Sequence, residues 1–392
     1  MHPVLALALV IVAGIGLTRL SRPPLRRVEL LADIAATGAP FLLLGLLLGP
    51  GLGVIDTAGL RLLQPVIALA IGWIGALFGA RLEWRMVRRV SRRTWLVGAS
   101  LALPVLAATT VMAVVLARRF PGLADSWGHP SLPAALAVGG ALTTGASQRG
   151  PRLGRRNALI DTIFGALAVA GAMALLHPRA GAVFRAVTLT LLVGLGLGGL
   201  FVALARTDLI PDPSEAGVAA LAVILCGAGL SYAVGLSPFV VCALETAVLT
   251  SFSPPAVRHA IAGMLTRWEN ALYAAFLILA GALLRPISPW VLLAAPVLAV
   301  LRLLVRWVTV RFGLDQVDPV WRSLPFPPPP EFAYSAVRQG ATAIALAAGF
   351  DLVRGASPGG AVLVTVLLSV MAAEALAMRT PLTARPKHAE VT

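Results

Sequence analysis

Long apolar runs constrain this chain more than any other feature of its sequence. Each is about 17–23 residues long, enough for a helix to cross a hydrocarbon layer roughly 30 Å thick. Of the 392 residues, 58% are hydrophobic and 12% are charged, and the mean hydropathy is +0.88. A soluble chain carries about twice that charged fraction. Because a backbone in lipid must satisfy its hydrogen bonds within each span, the runs predict an all-α polytopic membrane protein and exclude a soluble enzyme.

The lengths of these runs predict about thirteen transmembrane helices, several of them short or interrupted by glycine and proline. The predicted spans cover residues 3–19, 30–49, 62–80, 95–117, 133–147, 157–176, 182–205, 215–233, 237–252, 269–284, 288–310, 334–352 and 359–378. We expect them to form one transmembrane unit over residues 1–378, followed by a short cytoplasmic tail at 379–392.

The net charge of +15 comes mainly from arginines that are concentrated in alternate loops. Basic residues favour the cytoplasmic side, so this alternation predicts a multi-pass inner (plasma) membrane protein with its N-terminus outside and its C-terminus in the cytoplasm. It gives no reason to expect a nucleic-acid partner. The basic loops contain Arg22, Arg26, Arg27, Arg81, Arg85, Arg88, Arg89, Arg92, Arg93, Arg149, Arg152, Arg155, Arg156, Arg258, Arg267, Arg311, Arg322, Arg379, Arg385 and Lys387. The other loops contain mainly Arg61, Arg118, Arg119, Arg179, Arg285 and Arg354.

A few ionisable residues lie at membrane depth, where they either pair inside the helix bundle or mark an ion pathway. A carboxylate near the middle of a hydrocarbon layer costs roughly 2.5–3.5 kcal/mol on insertion scales. Asp161, in the stretch "NALIDTIFGAL", is the only acid of its run, and Arg302 lies in the middle of another. We expect Asp161 to be the partner of Arg302 and Arg306 to lie at the membrane interface. The remaining acids at membrane depth are Asp33 and Glu245, and Asp351 and Glu374 lie nearer to the ends of their apolar runs.

Two of these acids have more than one interpretation. Glu245 lies in the short span "FVVCALETAVLTSF", where it could be a second partner for an arginine, a proton site or a hydrogen-bonded structural acid. Asp33 lies near the start of its span, where water can reach it, and a structural role is favoured. The cysteines, Cys226 and Cys242, lie inside apolar runs and are expected to be small buried hydrophobes.

Two spans are poor candidates for continuous helices. The stretch "PAALAVGGALTTGASQRG" combines glycines with Thr143 and Thr144, and "VRQGATAIALAAGF" contains Gly340, Thr342 and Gly349. Broken helices line the substrate cavity of inverted-repeat secondary transporters. Small residues also mediate ordinary helix packing, so the pattern by itself supports both interpretations.

Several segments resemble the bacterial sodium/hydrogen (monovalent cation:proton) exchanger family, in its Kef- and Nap-like branch. "PFLLLGLLLGPGLGVI" resembles the family's LxGxxLGPxxLGxI, and "GALFGARLEWRMVRR" resembles FxxGLExxxxxLRR. "LSPFVVCALETAVLTSFSPPAVRHAIAGML" and "RQGATAIALA" resemble later family segments in the same order. The resemblance covers nearly the whole chain and implies the antiporter fold, with inverted repeats, two broken crossing helices, and core and dimerisation helices interleaved along the chain. It also implies a homodimer and no cofactor.

The resemblance assigns site residues and also marks this chain as an atypical member. Asp161 matches the first acid of the family's acidic pair, and Arg302 matches its mid-span basic residue. Thr162 stands where the second, exchanging acid is expected, and Thr143-Thr144 replaces a Thr-Asp pair. Asp161 then carries the exchange alone with the threonine oxygens as ion ligands, or Glu245 has taken over the carboxylate role, or antiport activity has been lost.

The favoured hypothesis is a secondary transporter that exchanges Na⁺ or K⁺ for H⁺ by alternating access. Its ion- and proton-binding residues would be Asp161, Thr162, Thr143, Thr144 and Glu245, with Arg302 as the pairing charge. The alternatives are a non-transporting or regulatory membrane protein with the same fold, and a transporter of another substrate, for example an organic anion bound by the arginine. An enzyme is not expected, because no histidine or cysteine is placed to assist a nucleophile.

Overall fold

The computed structural model describes residues 39–53, 62–128, 131–145, 152–176, 181–207, 213–284, 288–310, 339–355 and 360–379. The regular structure of these residues is entirely helical. The helices are α1 (Ala39–Leu46), which a π-helical turn Leu47–Gly51 continues, α2 (Gln64–Gly79), α3 (Trp84–Arg89), α4 (Arg92–Arg119), α5 (Pro121–Trp127), α6 (Ser131–Thr143), α7 (Arg152–Leu175), α8 (Ala182–Arg206), α9 (Pro213–Val234), α10 (Pro238–Phe252), α11 (Pro255–Ala282), α12 (Pro289–Val308), α13 (Ala341–Val353) and α14 (Ala361–Arg379).

The predicted spans agree well with these helices, and the prediction of an all-α multi-pass membrane protein is confirmed. Five helical segments are long and apolar enough to cross a membrane, namely Arg92–Arg119, Asn157–Leu175, Ala182–Arg206, Glu215–Val234 and Pro289–Val308. Every predicted span from residue 62 onward contains a helix. The predicted span 3–19, the first part of 30–49 with Asp33, and the proline-rich segment "PFPPPPEF" lie outside the described residues.

The main departures from the predicted spans are at helix ends. Helix α11 begins at Pro255, well before the predicted residue 269, because proline suits the first turn of a helix and the polar residues after it continue the helix beyond its apolar part. Short helices α3 and α5 occupy segments that were predicted as loops. Gly349, predicted to interrupt its span, lies inside the continuous helix α13.

Most of the helices pack into two groups. The first, called the α7 group, contains α4, α6, α7, α12, α13 and α14, and the second, called the α10 group, contains α1, α2, α8, α9, α10 and α11. Helix α2 packs against α13, and α7 packs against α8, so these pairs join the two groups. The division by packing matters for function because the candidate site residues are distributed between both groups.

Glycines allow helix α10 to lie very close to its neighbours. A Cβ added at Gly75 or Gly79 of α2 would overlap the α10 backbone at Phe239 or Ala243. On the other side, a Cβ at Gly198 of α8 would lie 2.9 Å from the carbonyl oxygen of Glu245. Small residues at helix interfaces permit this close approach inside a membrane.

A second glycine contact positions the end of α6 beside α7. A Cβ at Gly165 of α7 would overlap the carbonyl oxygen of Gly140 of α6 and lie 2.9 Å from Cγ2 of Thr144. Helices α6 and α13 have 13 residues each. At 1.5 Å per residue each extends about 20 Å, less than the hydrocarbon thickness, and the last residue of α6, Thr143, is fully buried within the protein.

Candidate ion-binding site

Asp161 lies on helix α7 with no exposed surface, and it forms an ion pair with an arginine of α12. Oδ2 of Asp161 accepts a hydrogen bond from Nη2 of Arg306. Arg302, the predicted partner, lies near enough to act on Asp161 electrostatically, and Arg306 forms an ion pair with the same carboxylate. The residue one helical turn further along α12 reaches the carboxylate.

Arg306, which was expected at the membrane interface, lies in the last turn of α12 and is turned inward, because only 5% of its surface is exposed. Leu298, Arg302 and Arg306 follow one another at four-residue intervals and continue the buried stripe of α12. Residues four apart lie on the same side of a helix, so packing that buries Arg302 also turns Arg306 inward. That spacing was the signal in the sequence that could have identified Arg306.

Arg302 stabilises the end of the short helix α6. Its Nε donates to the carbonyl oxygen of Leu142 at 2.7 Å, and its Nη2 donates to that of Thr144 at 3.4 Å. Nε2 of Gln339, just before α13, donates to the same Leu142 oxygen at 2.7 Å. The last carbonyls of a helix lack intrahelical donors and carry its negative dipole end, so a guanidinium placed there is favourable.

The three threonines of the predicted site are buried, and each uses its hydroxyl proton within its own segment. Oγ1 donates at 2.8 Å from Thr162 to Ala158, from Thr143 to Gly139 and from Thr144 to Ala141. A hydroxyl that donates once keeps lone pairs that can accept a proton donor or bind a cation. The hydroxyls can therefore act as cation ligands but not as further proton donors.

The chain just beyond α6 lies against the carboxylate of Asp161. A Cβ added at Gly145 would be 3.3 Å from Oδ2 of Asp161 and 3.2 Å from Cβ of Ala158. The structure therefore brings Asp161, Thr144, Arg302 and Arg306 together around the end of α6. Thr143 precedes Thr144, but no described contact joins its side chain to Asp161.

Several buried polar atoms of this site have no hydrogen-bond partner within the described residues. They include Oδ1 of Asp161, Nε and Nη1 of Arg306, both amide atoms of Asn157 and Oε1 of Gln339. Asn157 precedes Asp161 by one helical turn, so the two side chains share a face of α7. Sequence reasoning assigned Asn157 no role, although its four-residue spacing from Asp161 was an available signal.

Glu245 lies apart from Asp161, in the α10 group. Its side chain is fully buried, and neither carboxyl oxygen has a partner in the described part of the chain. It packs against α9 so closely that a Cβ at Gly227 would overlap Oε2. Cys242, one turn earlier, is a titratable group that interacts with it electrostatically. The structure therefore divides the predicted site residues between the two helix groups.

Asp351 has a structural role at the start of α14. Its Oδ2 accepts a hydrogen bond from the backbone N–H of Leu363 at 2.8 Å, and its carboxyl group occupies the space that a side chain at Gly360 would need. An acid there caps the first turn of the helix in place of a local side chain. The side chain of Glu374 lies outside the described residues.

Comparison with known proteins supports the fold. No protein family model and no curated protein sequence matches this chain. A solved structure, the sodium proton antiporter MjNhaP1 from Methanocaldococcus jannaschii at pH 8, is similar with a TM-score of 0.59 over 96% of this chain and 97% of that chain. The sequence identity is 16%, so the similarity concerns the fold alone. The Kef- and Nap-like branch stays a prediction, and the chain is an all-helical membrane protein with an antiporter fold.

Proposed function

We propose that this protein is a secondary transporter that exchanges a monovalent cation, Na⁺ or K⁺, for H⁺ by alternating access. The observation that carries the proposal is the position of Asp161 in an antiporter fold. The carboxylate is fully buried beside the end of the short helix α6, and its Oδ1 has no partner among the described residues. A buried carboxylate with an unused oxygen is stabilised when it takes up either a cation or a proton.

Competition at Asp161 supplies the coupling in this mechanism. A cation would bind Oδ1 of Asp161 together with lone pairs from Thr162 and Thr144, and a proton would replace it on the same carboxylate. Thr143, at the last helical position of α6, would contribute as a further ligand. Arg306 binds Oδ2 of Asp161 when no cation is bound. A cation on the same carboxylate would compete with the guanidinium and weaken this ion pair.

Movement between the two helix groups would expose the site to each side in turn. Asp161 and Arg306 both belong to the α7 group, which packs on the α10 group mainly through α2–α13 and α7–α8. The α7 group would move as the transport core, and the α10 group would form the interface with a second copy of the chain in a homodimer. The orientation expected from the arginine pattern places the C-terminus in the cytoplasm of an inner-membrane protein.

A proteoliposome assay tests this proposal. A dye that reports an imposed pH gradient should respond to added Na⁺ or K⁺ with the wild-type protein, and Asp161→Asn should abolish the response. Glu269→Gln is the matched control, because it changes a carboxyl to an amide at a surface ion pair with Arg81. A normal response in Asp161→Asn would refute the site. Inactivity of wild type against sodium, potassium and lithium would favour the non-transporting alternative.

The second candidate function is transport of a different substrate, an organic anion. It is favoured by the presence of two guanidinium groups, those of Arg302 and Arg306, around one described acid, Asp161. Uptake of radiolabelled small carboxylates into the same proteoliposomes distinguishes it. Uptake that requires Arg306, in vesicles that show no pH response to cations, would support this candidate over cation exchange.

A further inference from the structure

Arg306 offers buried hydrogen-bond donors that its carboxylate partner does not use. A guanidinium carries five N–H donors and stays charged at any relevant pH. Only Nη2 reaches Asp161, while Nε and Nη1 are buried without a partner in the described residues. Buried polar groups are normally satisfied, so this edge of the guanidinium requires an acceptor.

Asn157 adds a further donor on the same side of the site. It is 3% exposed, and neither Oδ1 nor Nδ2 has a partner among the described residues. It lies one turn before Asp161 on α7, so its side chain shares a helix face with the carboxylate that Arg306 binds. Nε and Nη1 of Arg306 with Nδ2 of Asn157 therefore form a set of donors that suits an anion.

The ion pair between Asp161 and Arg306 also competes with any cation for the carboxylate. An anion at the free edge of Arg306 would neutralise the guanidinium and weaken its hold on Oδ2 of Asp161. The exposed fractions of Asn157, Asp161 and Arg306 are 3%, 0% and 5%, so these groups are separated from solvent and a small ion suits them better than a large one. One negative charge matches the one guanidinium that holds Asp161.

We propose that a small monovalent inorganic anion of the chloride class binds between Arg306 and Asn157, and that it releases Asp161 to bind the cation. The binding site itself depends only on the unsatisfied donors of Arg306 and Asn157. The release step rests on the proposed cation exchange at Asp161. The anion is a co-ligand of this site, which distinguishes it from an organic cargo.

Chloride binding to purified protein in detergent tests the site without transport. Titration calorimetry in sodium- and potassium-free buffer, with gluconate as the reference anion, should give a saturable heat for chloride with the wild type. Arg306→Gln should lose it, and Arg88→Gln, which removes an exposed arginine, should keep it. Equal heats for chloride and gluconate with the folded wild type would mean that water satisfies these donors, and would overturn the proposal.

Asn157→Asp provides a variant that keeps the proposal testable if Arg306→Gln does not fold. The new carboxylate is nearly the size of the amide and would occupy the place of the anion beside Arg306. We expect this variant to lose chloride binding while its melting temperature stays close to that of the wild type. Retained saturable chloride binding in Asn157→Asp would contradict the assigned position.

The release step is tested by the cation-dependent pH response in chloride and in gluconate. The wild type should respond at least tenfold more strongly in chloride, and Asn157→Asp should respond equally in both. Equal wild-type responses in the two anions would overturn the release step. Chloride binding by a protein that shows no cation response in either anion would refute cation exchange and leave the anion site standing, so the two failures are distinguishable.

Discussion

Two fully buried acids, Asp161 in the α7 group and Glu245 in the α10 group, lie in contrasting surroundings. Asp161 has a guanidinium on one oxygen, an unused second oxygen, and the end of a short helix beside it. Glu245 has a glycine of α9 against its carboxyl group and no described counter-charge. The carboxylate of Asp161 can exchange its hydrogen bond with Arg306 for another ligand, whereas the carboxyl group of Glu245 is packed closely against α9. Burial alone therefore does not identify an ion site.

The largest expected effect separates the two acids by function. Asp161→Asn should abolish cation-dependent pH changes in proteoliposomes. Glu245→Gln should reduce the initial rate by less than about threefold, which corresponds to an increase of about 0.65 kcal/mol in the activation free energy. The physical reason is that only Asp161 has an unused oxygen next to the end of α6 and beside a releasable arginine. The reverse result would transfer the exchanging role to Glu245.

A second effect concerns the stability of the ion pair. Arg306→Met should lower the free energy of unfolding by about 3–5 kcal/mol, because it leaves the buried carboxylate of Asp161 without its counter-charge. The double variant Arg306→Met with Asp161→Leu should recover much of this loss, since both charges are then absent. Thermal unfolding in detergent, followed by tryptophan fluorescence, measures both changes. A single variant as stable as the wild type would show that Asp161 does not depend on Arg306.

A smaller effect tests the packing of Glu245. Gly227→Ala should destabilise the protein by about 1–3 kcal/mol, because the added methyl group overlaps Oε2 of Glu245. Adding Glu245→Ala should relieve the overlap, so the double variant should cost less than the sum of the two single changes. Gly229→Ala on the same helix is the control, since nothing lies within 4 Å of a Cβ there. Additive costs would show that the two residues do not touch.

The smallest effect should come from neutralising Glu245. Glu245→Gln is expected to change the free energy of unfolding by less than about 1 kcal/mol, because it keeps the side-chain volume and breaks no described hydrogen bond or ion pair. The same unfolding experiment measures it. A loss above roughly 3 kcal/mol, the cost of breaking a buried ion pair, would indicate that Glu245 carries a paired charge and would make its surroundings equivalent to those of Asp161.

Much of the fold could be predicted from the sequence, and so could many of the residues of the candidate site. Apolar run length predicted the helices because spanning a hydrocarbon layer requires a minimum length. The shortness of α6, which ends at Thr143, and the burial of Asp161 agree with what residue type predicted. The partner of Asp161 did not follow from residue type, because Arg302 and Arg306 lie on one face of α12 and the choice between them depends on how that helix packs.

The sequence by itself determined that this chain is a helical membrane protein with rare ionisable residues held inside it, since hydrophobicity and its period are local properties. Tertiary structure alone decided that Arg306 pairs with Asp161, that Arg302 stabilises the end of α6, and that Glu245 lies in the other helix group. The two arginine contacts join residues more than a hundred positions apart. They depend on the depth and rotation of α12 in the bundle, which its packing against α4 and α14 sets.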